Sequence, residues 1–189
     1  MSFKNVIQLL AFASLTYVGS VQAIVIGSDS SAIDVELGDE VTLGISFDFD
    51  TDTEVSVGGS FRLTYDDTLL INPLFNFSPV LIDYGIDTTS FDNSVNGQLD
   101  ISFGTFNFFG PGVSGAGLLG QLTFNAISEG GTLLFLEDIN GGFSDFNTFE
   151  PQVVDYQNTR VNVVSSVPLP ASVWLFISSL GFLAVRRKV

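Results

Sequence analysis

The sequence predicts an all-β sandwich. Apolar and polar residues alternate with a period of two, turn residues separate the alternating segments, and no long helical period occurs between the two ends of the chain. Residues 41–50 show the alternation best, with Val41, Leu43, Ile45, Phe47 and Phe49 on one side. Because successive side chains of a strand point to opposite faces, we expect one face of this strand to be buried.

Nine segments between the two ends are predicted strands. They are residues 24–26, 33–37, 41–50, 60–66, 80–84, 99–106, 118–127, 132–136 and 161–164. Glycine, proline and asparagine turns separate them, for example at Gly58-Gly59, Pro73, Asn96-Gly97 and Gly130-Gly131. Short strands joined by such turns are typical of two packed sheets.

The first 23 residues have the features of a secretory signal peptide. A single Lys4 precedes an apolar run from Val6 to Val18, and small residues lead up to Ala23. This pattern predicts cleavage after Ala23, a mature chain beginning at Ile24, and a domain that occupies residues 24–166. An N-terminal membrane anchor is the weaker alternative, since the apolar run is short and interrupted by polar residues.

The last 23 residues, 167–189, predict a single hydrophobic helix whose length is marginal for a membrane anchor. Residues 171–185 contain no charge, and Arg186, Arg187 and Lys188 follow directly. A basic cluster after an apolar segment indicates an end held on the cytoplasmic side. Fifteen residues cover about 22 Å as a helix, against a hydrocarbon core of about 30 Å. The alternative is a buried helix of the globular domain.

Charge and composition exclude several classes of function. All twenty-one acidic residues lie within residues 24–166, where Arg62 and Arg160 are the cations, and the chain has no Cys and no His. A domain this acidic is not expected to bind nucleic acid or anionic lipid, because both are bound mainly through Lys and Arg side chains. The absence of His and Cys excludes imidazole-based catalysis, disulfides and thiolate metal sites.

An acidic run is the candidate metal site. Asp48, Asp50, Asp52 and Glu54 place carboxylates at alternate positions, which is the kind of ligand that Ca²⁺ prefers. The alternative is a solvated strand end or loop, because alternate strand residues share one face in any case. The sequence leaves both open.

Two other features have a functional and a structural interpretation. Asp66-Asp67 could be a carboxylate dyad for glycoside hydrolysis, but adjacent strand residues point apart, which favours an Asp-rich turn. The apolar loop at residues 107–112 could be an exposed docking patch or a buried loop that closes the sandwich, and we favour burial. Nineteen Phe against one Trp indicate that the aromatic side chains mostly fill the core and are not displayed for sugar stacking.

The C-terminal segment begins with the motif Val167, Pro168, Leu169, Pro170 and Ala171, and the apolar span and the basic cluster follow it. In this order the three parts resemble the PEP-CTERM class of bacterial sorting signals in its VPLPA variant. The resemblance implies recognition by an exosortase-type membrane transpeptidase and transient anchoring in the inner membrane. It also implies delivery to the cell surface, outer membrane or extracellular matrix of a Gram-negative bacterium.

The domain contains GDEVT within residues 35–43 and YDDTLL within 59–70, followed by segments at 119–126 and 142–143 and a valine-rich end at 160–164. In this order the segments resemble a cohesin domain. The resemblance implies a jelly-roll sandwich of about nine strands that docks a protein without catalysis.

Together these observations favour a non-catalytic, exported binding module for a protein or a polysaccharide. An acidic, Ca²⁺-dependent matrix protein or adhesin is the alternative. A glycan-active enzyme that uses only carboxylates is less favoured.

Overall fold

The computed structural model describes residues 24–49, 55–107 and 112–165. Their strands are β1 (Ile24–Ser28), β2 (Ala32–Glu36), β3 (Glu40–Phe49), β4 (Ser56–Thr64), β5 (Leu70–Phe77), β6 (Thr88–Asp92), β7 (Gln98–Gly104), β8 (Gly115–Ala126), β9 (Gly130–Asp138), β10 (Ser144–Asp145), β11 (Val154–Gln157) and β12 (Thr159–Val164). The predicted signal peptide at residues 1–23 and the predicted C-terminal helix at 167–189 lie outside the described residues.

The strands form two sheets, which confirms the predicted β-sandwich. The five-stranded sheet has the order β11-β1-β3-β8-β5, and the seven-stranded sheet has the order β2-β12-β9-β4-β7-β6, with β10 also paired to β4. Most neighbours are antiparallel, but β1 pairs with β11 and β2 pairs with β12 in parallel. The first two strands and the last two strands therefore each contribute one strand to each sheet.

The predicted alternation places the core correctly. In β3, the side chains of Val41, Leu43, Ile45, Phe47 and Phe49 are all buried, and the intervening residues are exposed or half-buried. The same alternation in β4 buries Phe61 and Leu63 against the other sheet. Burying these side chains contributes about 1.5–3 kcal/mol each, so the two inner faces hold the sheets together.

Aromatic rings fill one end of this core. Phe103 of β7 is buried, and its ring centroid lies 5.3 Å from Phe143, 5.8 Å from Phe47, 6.1 Å from Phe49 and 6.5 Å from Phe61. These residues come from both sheets and from the loop that follows β9, so the cluster joins the two layers. Such tilted and edge-on contacts add about 0.5–1.5 kcal/mol per pair beyond the buried area.

One predicted strand is wrong. Residues 80–84 contain a 3₁₀ helix, Leu81–Tyr84, which ends at Gly85 in the left-handed conformation (φ 79°). Leu81 is its buried residue, and Tyr84 packs edge-on against Phe47 with the ring centroids 5.3 Å apart. A short apolar run is compatible with either a single helical turn or a strand, and its periodicity alone does not distinguish the two.

Four strands were not predicted, so the expected number of about nine is too low for the described residues. The strand β5 contains Pro73, and its pairing with β8 shifts register between Ile71 and Leu74. Proline is tolerated there because β5 is an edge strand. The edge strand β6 is mostly polar, and β10 and β11 are too short to show a period.

Candidate binding surface on the seven-stranded sheet

The outward face of β9 carries two exposed apolar side chains. Leu134 and Leu136 point into the core, whereas Leu133 and Phe135 point outward with exposed fractions of 50% and 43%. The outward face of an antiparallel sheet is normally polar. The run from Leu133 to Leu136 is apolar at every position, so half of it must face solvent or a partner.

Both arginines of the described chain lie on this same outward face. Arg160 of β12 is opposite Leu133 in the register, and Arg62 of β4 is opposite Glu137. Leu133, Phe135, Arg62 and Arg160 are called the β9 patch below.

The two arginines are held differently. Arg62 donates from Nε and Nη2 to the two carboxylate oxygens of Asp100 at 2.6 and 2.8 Å, and this contact raises the pKa of Arg62. Arg160 donates from Nε to Oδ1 of Asn162 at 3.0 Å, and Asn162 in turn donates to Asp34 at 2.8 Å. Arg160 forms no salt bridge with a described residue, so its charge is available to an incoming carboxylate.

A groove lies on the outward face of β4, β7 and β6. Two registered rows of small residues form its floor, namely Ser60–Ser102–Ser90 and Gly58–Gly104–Thr88. Its volume is about 990 Å³, and Phe106 and Phe149 line it as walls. The next outward row after the serines contains the Arg62–Asp100 ion pair, and the charged surface starts there. This space is called the Ser/Phe groove below.

Carboxylates fix both walls of the Ser/Phe groove. Asp87 accepts the backbone N–H of Phe106 at 2.9 Å and the hydroxyl of Thr105 at 3.3 Å. Asp145 accepts the backbone N–H of Thr148 at 2.7 Å, and the N–H of Phe149 donates to the backbone carbonyl of Asp145 at 2.9 Å. The N–H of Thr148 is the main reason why the pKa of Asp145 lies below its usual value.

The predicted metal run is only partly within the described residues. Asp48 is an exposed residue of β3, opposite Val25 and Ala116 in the register. Asp50, Asp52 and Glu54 lie outside the described residues. Within residues 24–49, 55–107 and 112–165 no group of three or more acidic side chains is positioned to hold a metal ion.

Asp66 is a turn residue, as the structural interpretation predicted. Its Oδ1 accepts the backbone N–H of Thr68 at 2.9 Å and the Thr68 hydroxyl at 2.6 Å, and these bonds lower the pKa of Asp66. The hydrogen bonds stabilise the ionised carboxylate, which makes Asp66 a poor proton donor.

Asp92 and Asp100 share a small pocket of about 20 Å³. The backbone N–H of Ser94 lowers the pKa of Asp92, and Asp100 is occupied by Arg62. A carboxylate pair for glycoside hydrolysis needs one acid with a raised pKa and room for a sugar. A pocket of about 20 Å³ has no room for a sugar.

The remaining predicted site residues lie outside the described part of the chain. They are the cleavage residue Ala23, the sorting motif Val167, Pro168, Leu169, Pro170 and Ala171, and the basic cluster Arg186, Arg187 and Lys188. Residues 108–111 of the predicted apolar loop also lie outside it. The described residues contain no helix that is long and apolar enough to cross a membrane.

Sequence reasoning missed the β9 patch and the Ser/Phe groove. The sequence predicts a strand at residues 132–136 without indicating a binding surface there. The available signal is the run of four apolar residues from Leu133 to Leu136, which exceeds what a one-sided strand needs. Phenylalanines fill much of the core, as expected, but Phe106 and Phe149 are 75% and 60% exposed. No local signal distinguishes these two from the core phenylalanines.

Solved structures of cohesin domains resemble this chain. The seventh type I cohesin of ScaB from Pseudobacteroides cellulosolvens has a TM-score of 0.60 at 19% identity, over 78% of this chain and 96% of that chain. The sixth cohesin of scaffoldin B from Acetivibrio cellulolyticus, solved with a dockerin, has a TM-score of 0.58 at 18% identity, over 76% and 100%. A type I cohesin–dockerin complex from Clostridium thermocellum has a TM-score of 0.59 at 13% identity, over 76% of this chain and 100% of that chain.

The class of domain follows from this likeness. At such identities the likeness is one of fold, and it shows that the described residues have the fold of a cohesin-like β-sandwich. Comparison with protein families and with curated proteins finds no match.

Proposed function

We propose that this chain is a non-catalytic docking module that binds a protein partner through the β9 patch. The observation that carries the proposal is the outward exposure of Leu133 and Phe135 beside Arg160. The outward face of an antiparallel sheet is normally polar. Apolar anchors flanked by charge are typical of the energetic centre of a protein interface. The resemblance to cohesins, several of which were solved in complex with dockerins, supports a protein partner.

The charge around the β9 patch indicates the chemistry of the partner. Asp34, Glu36 and Glu137 lie on the same outward face, and the domain as a whole is strongly acidic. The expected partner surface therefore has an apolar centre and a margin rich in Lys and Arg, with one carboxylate opposite Arg160. Complementary charge of this kind raises the association rate and makes binding sensitive to salt.

The test compares charge substitutions on the two sheets. The partner is first identified by crosslinking at the surface of the host, and its affinity is then measured by surface plasmon resonance for wild type, Leu133→Asp, Phe135→Asp and Leu74→Asp. Leu74 is the matched control, because it is 46% exposed on the five-stranded sheet. We expect a loss of about tenfold or more for the first two variants and none for the control. Equal affinity of all four proteins would refute the docking surface.

Export and sorting are part of the proposal. A signal peptide removed after Ala23, a sorting motif at Val167–Ala171 and a basic stop at Arg186–Lys188 would deliver the domain to the cell surface or matrix through an exosortase-type enzyme. The intact mass of the protein recovered from its host tests this step. A mature chain that begins at Ile24 and lacks Arg186–Lys188 is expected, and retention of that cluster would mean a plain membrane anchor.

Calcium binding by the run Asp48, Asp50, Asp52 and Glu54 also stays a proposal. The exposure of Asp48 at the end of β3 supports it, since an exposed carboxylate can take a cation without rearranging the core. If these acids bind Ca²⁺, the alternative of a Ca²⁺-dependent matrix protein gains support. Ca²⁺-dependent self-association would separate that alternative from docking of one partner.

A further inference from the structure

The Ser/Phe groove collects the most exposed aromatic side chains of the described residues. Phe106 and Phe149 are 75% and 60% exposed, and both line this one space. They come from segments that are 43 positions apart in sequence, after β7 and after β10. Exposed apolar surface is costly, so two largely exposed phenylalanines that line one groove indicate a ligand surface.

Hydrogen bonds hold the backbone segments that carry both rings. The Asp87 carboxylate anchors the backbone of Phe106, and the loop closed by Asp145 holds Phe149 at a φ of 58°. A left-handed φ is unfavourable for a bulky residue, and the hydrogen bonds of the loop offset that strain. A preorganised wall of this kind lowers the entropy cost of binding.

The lining of the groove indicates a neutral ligand. Asp87 is the one charged residue among the described lining, and its two oxygens already accept from Thr105 and Phe106. The other polar groups are hydroxyls, which donate and accept but carry no charge. An anionic ligand would also be repelled by the acidic domain.

The floor of the groove indicates a polyhydroxylated ligand more than a peptide. An extended peptide gains its affinity from backbone hydrogen bonds to a free strand edge. The floor of the Ser/Phe groove is a sheet face, on which β4 and β7 are interior strands and β6 is an edge strand paired with β7 along one side. A chain lying across that face therefore meets mainly side chains. What the groove offers is the row Ser60–Ser102–Ser90, in which the Oγ atoms of Ser60 and Ser102 are 2.7 Å apart. Sugar hydroxyls can bond to this row while the C–H faces of the sugar ring contact the phenylalanines.

We propose that the Ser/Phe groove binds a neutral oligosaccharide chain, with Phe106 and Phe149 as stacking walls and the serine row as its hydrogen-bonding floor. A volume of about 990 Å³ is at the upper end of ordinary ligand clefts, which suits several sugar units. The inference does not depend on the protein-docking proposal, because the groove and the exposed apolar residues of β9 share no lining residue.

The test uses defined sugars and the full-length chain in a detergent without a sugar headgroup. Isothermal titration calorimetry with maltohexaose, cellohexaose, laminarihexaose and mannohexaose represents neutral glycans, and hexagalacturonate represents an anionic one. We expect at least one neutral hexasaccharide to bind and hexagalacturonate not to bind. The double variant Phe106→Ala/Phe149→Ala should lose affinity about tenfold or more. Phe91→Ala is the matched control, since Phe91 is exposed on β6 but does not line the groove.

A second measurement keeps the inference falsifiable if the double variant does not fold. Amide chemical shifts of the wild type, followed during titration with the bound hexasaccharide, should change at Ser60, Ser90 and Ser102 and not at Leu133. Failure of all four neutral sugars to bind would overturn the inference. So would shift changes confined to β9, or binding of a Gly/Ser peptide in place of every sugar. Leu133→Asp should leave sugar binding unchanged, which separates this result from the fate of the docking proposal.

Discussion

Replacing Phe103 with alanine should destabilise the domain more than any change on its surface. Phe103 is 3% exposed, and it contacts four other rings, which come from both sheets and from the loop that follows β9. Truncation of a buried phenylalanine costs about 3–5 kcal/mol, because transfer free energy is lost and a cavity remains. Since the neighbouring rings belong to two sheets and cannot all move inward, we expect about 4 kcal/mol of lost unfolding free energy.

Phe103→Leu separates the ring contacts from the filled volume. Leucine retains most of the buried volume, and a volume-conserving substitution costs less than about 1.5 kcal/mol. The lost edge-on contacts add to that cost, at about 0.5–1.5 kcal/mol per pair when taken singly and less when taken together. We therefore expect about 2 kcal/mol for this variant, between wild type and Phe103→Ala.

Urea denaturation followed by far-ultraviolet circular dichroism measures these differences. With a slope of about 2 kcal/mol per molar urea, a loss of 4 kcal/mol lowers the midpoint by about 2 M. Phe91→Ala on the exposed edge strand is the control, with an expected change of less than about 0.5 kcal/mol. If Phe103→Ala proved as stable as Phe91→Ala, the reasoning would be refuted, because the aromatic cluster would then not hold the two sheets together.

Three further outcomes are expected. Gly58 and Gly141 have φ angles of 96° and 95°, but a Cβ at Gly58 would lie 2.2 Å from a backbone carbonyl oxygen, whereas a Cβ at Gly141 meets nothing within 4 Å. Gly141→Ala should therefore cost about 1 kcal/mol of unfolding free energy, and Gly58→Ala at least about 2 kcal/mol more, measured by the same urea titration. Because the pKa of Asp145 is lowered in the fold, its stabilising effect is present above pH 3.8, the ordinary value, and is lost as the pH falls through the folded-state pKa. The difference in unfolding free energy between wild type and Asp145→Asn should therefore shrink between pH 7 and pH 3, and a constant difference would contradict this origin. Ca²⁺ should raise the melting temperature of wild type and a chelator should reverse the rise, whereas Asp50→Asn/Asp52→Asn should not respond; an unchanged wild-type melting temperature would end the calcium proposal.

The layers of the fold could be predicted from sequence because burial alternates residue by residue. The strand β3 shows this most clearly, since its five buried positions are its five apolar ones. Residues 80–84 could not be assigned in this way, because one helical turn and a short strand bury a similar apolar run. Edge strands such as β5 and β6 escape prediction for a related reason, since they face solvent and need no regular apolar pattern.

The candidate sites could not be predicted, because they depend on register between distant segments. Ser60, Ser90 and Ser102 form a row only when β4, β7 and β6 pair in one particular alignment, and a shift by one residue would turn the serines inward. Phe149 reaches the groove only through the loop that Asp145 closes. Sequence distance and residue type carry no information on either arrangement.

The parallel pairing of the terminal strands determines how the domain would respond to a pulling force. The strand β2, near the start of the domain, pairs with the last strand, β12, through five parallel residue pairs, and β1 pairs with β11 through four. Tension applied at the two ends draws such partners past each other along their common axis, so all hydrogen bonds of a ladder bear the load together. An antiparallel hairpin pulled at its open end would instead lose its bonds one after another. The connectivity that places the first and last strands side by side in each sheet thus also makes the domain resist tension along the line between its ends.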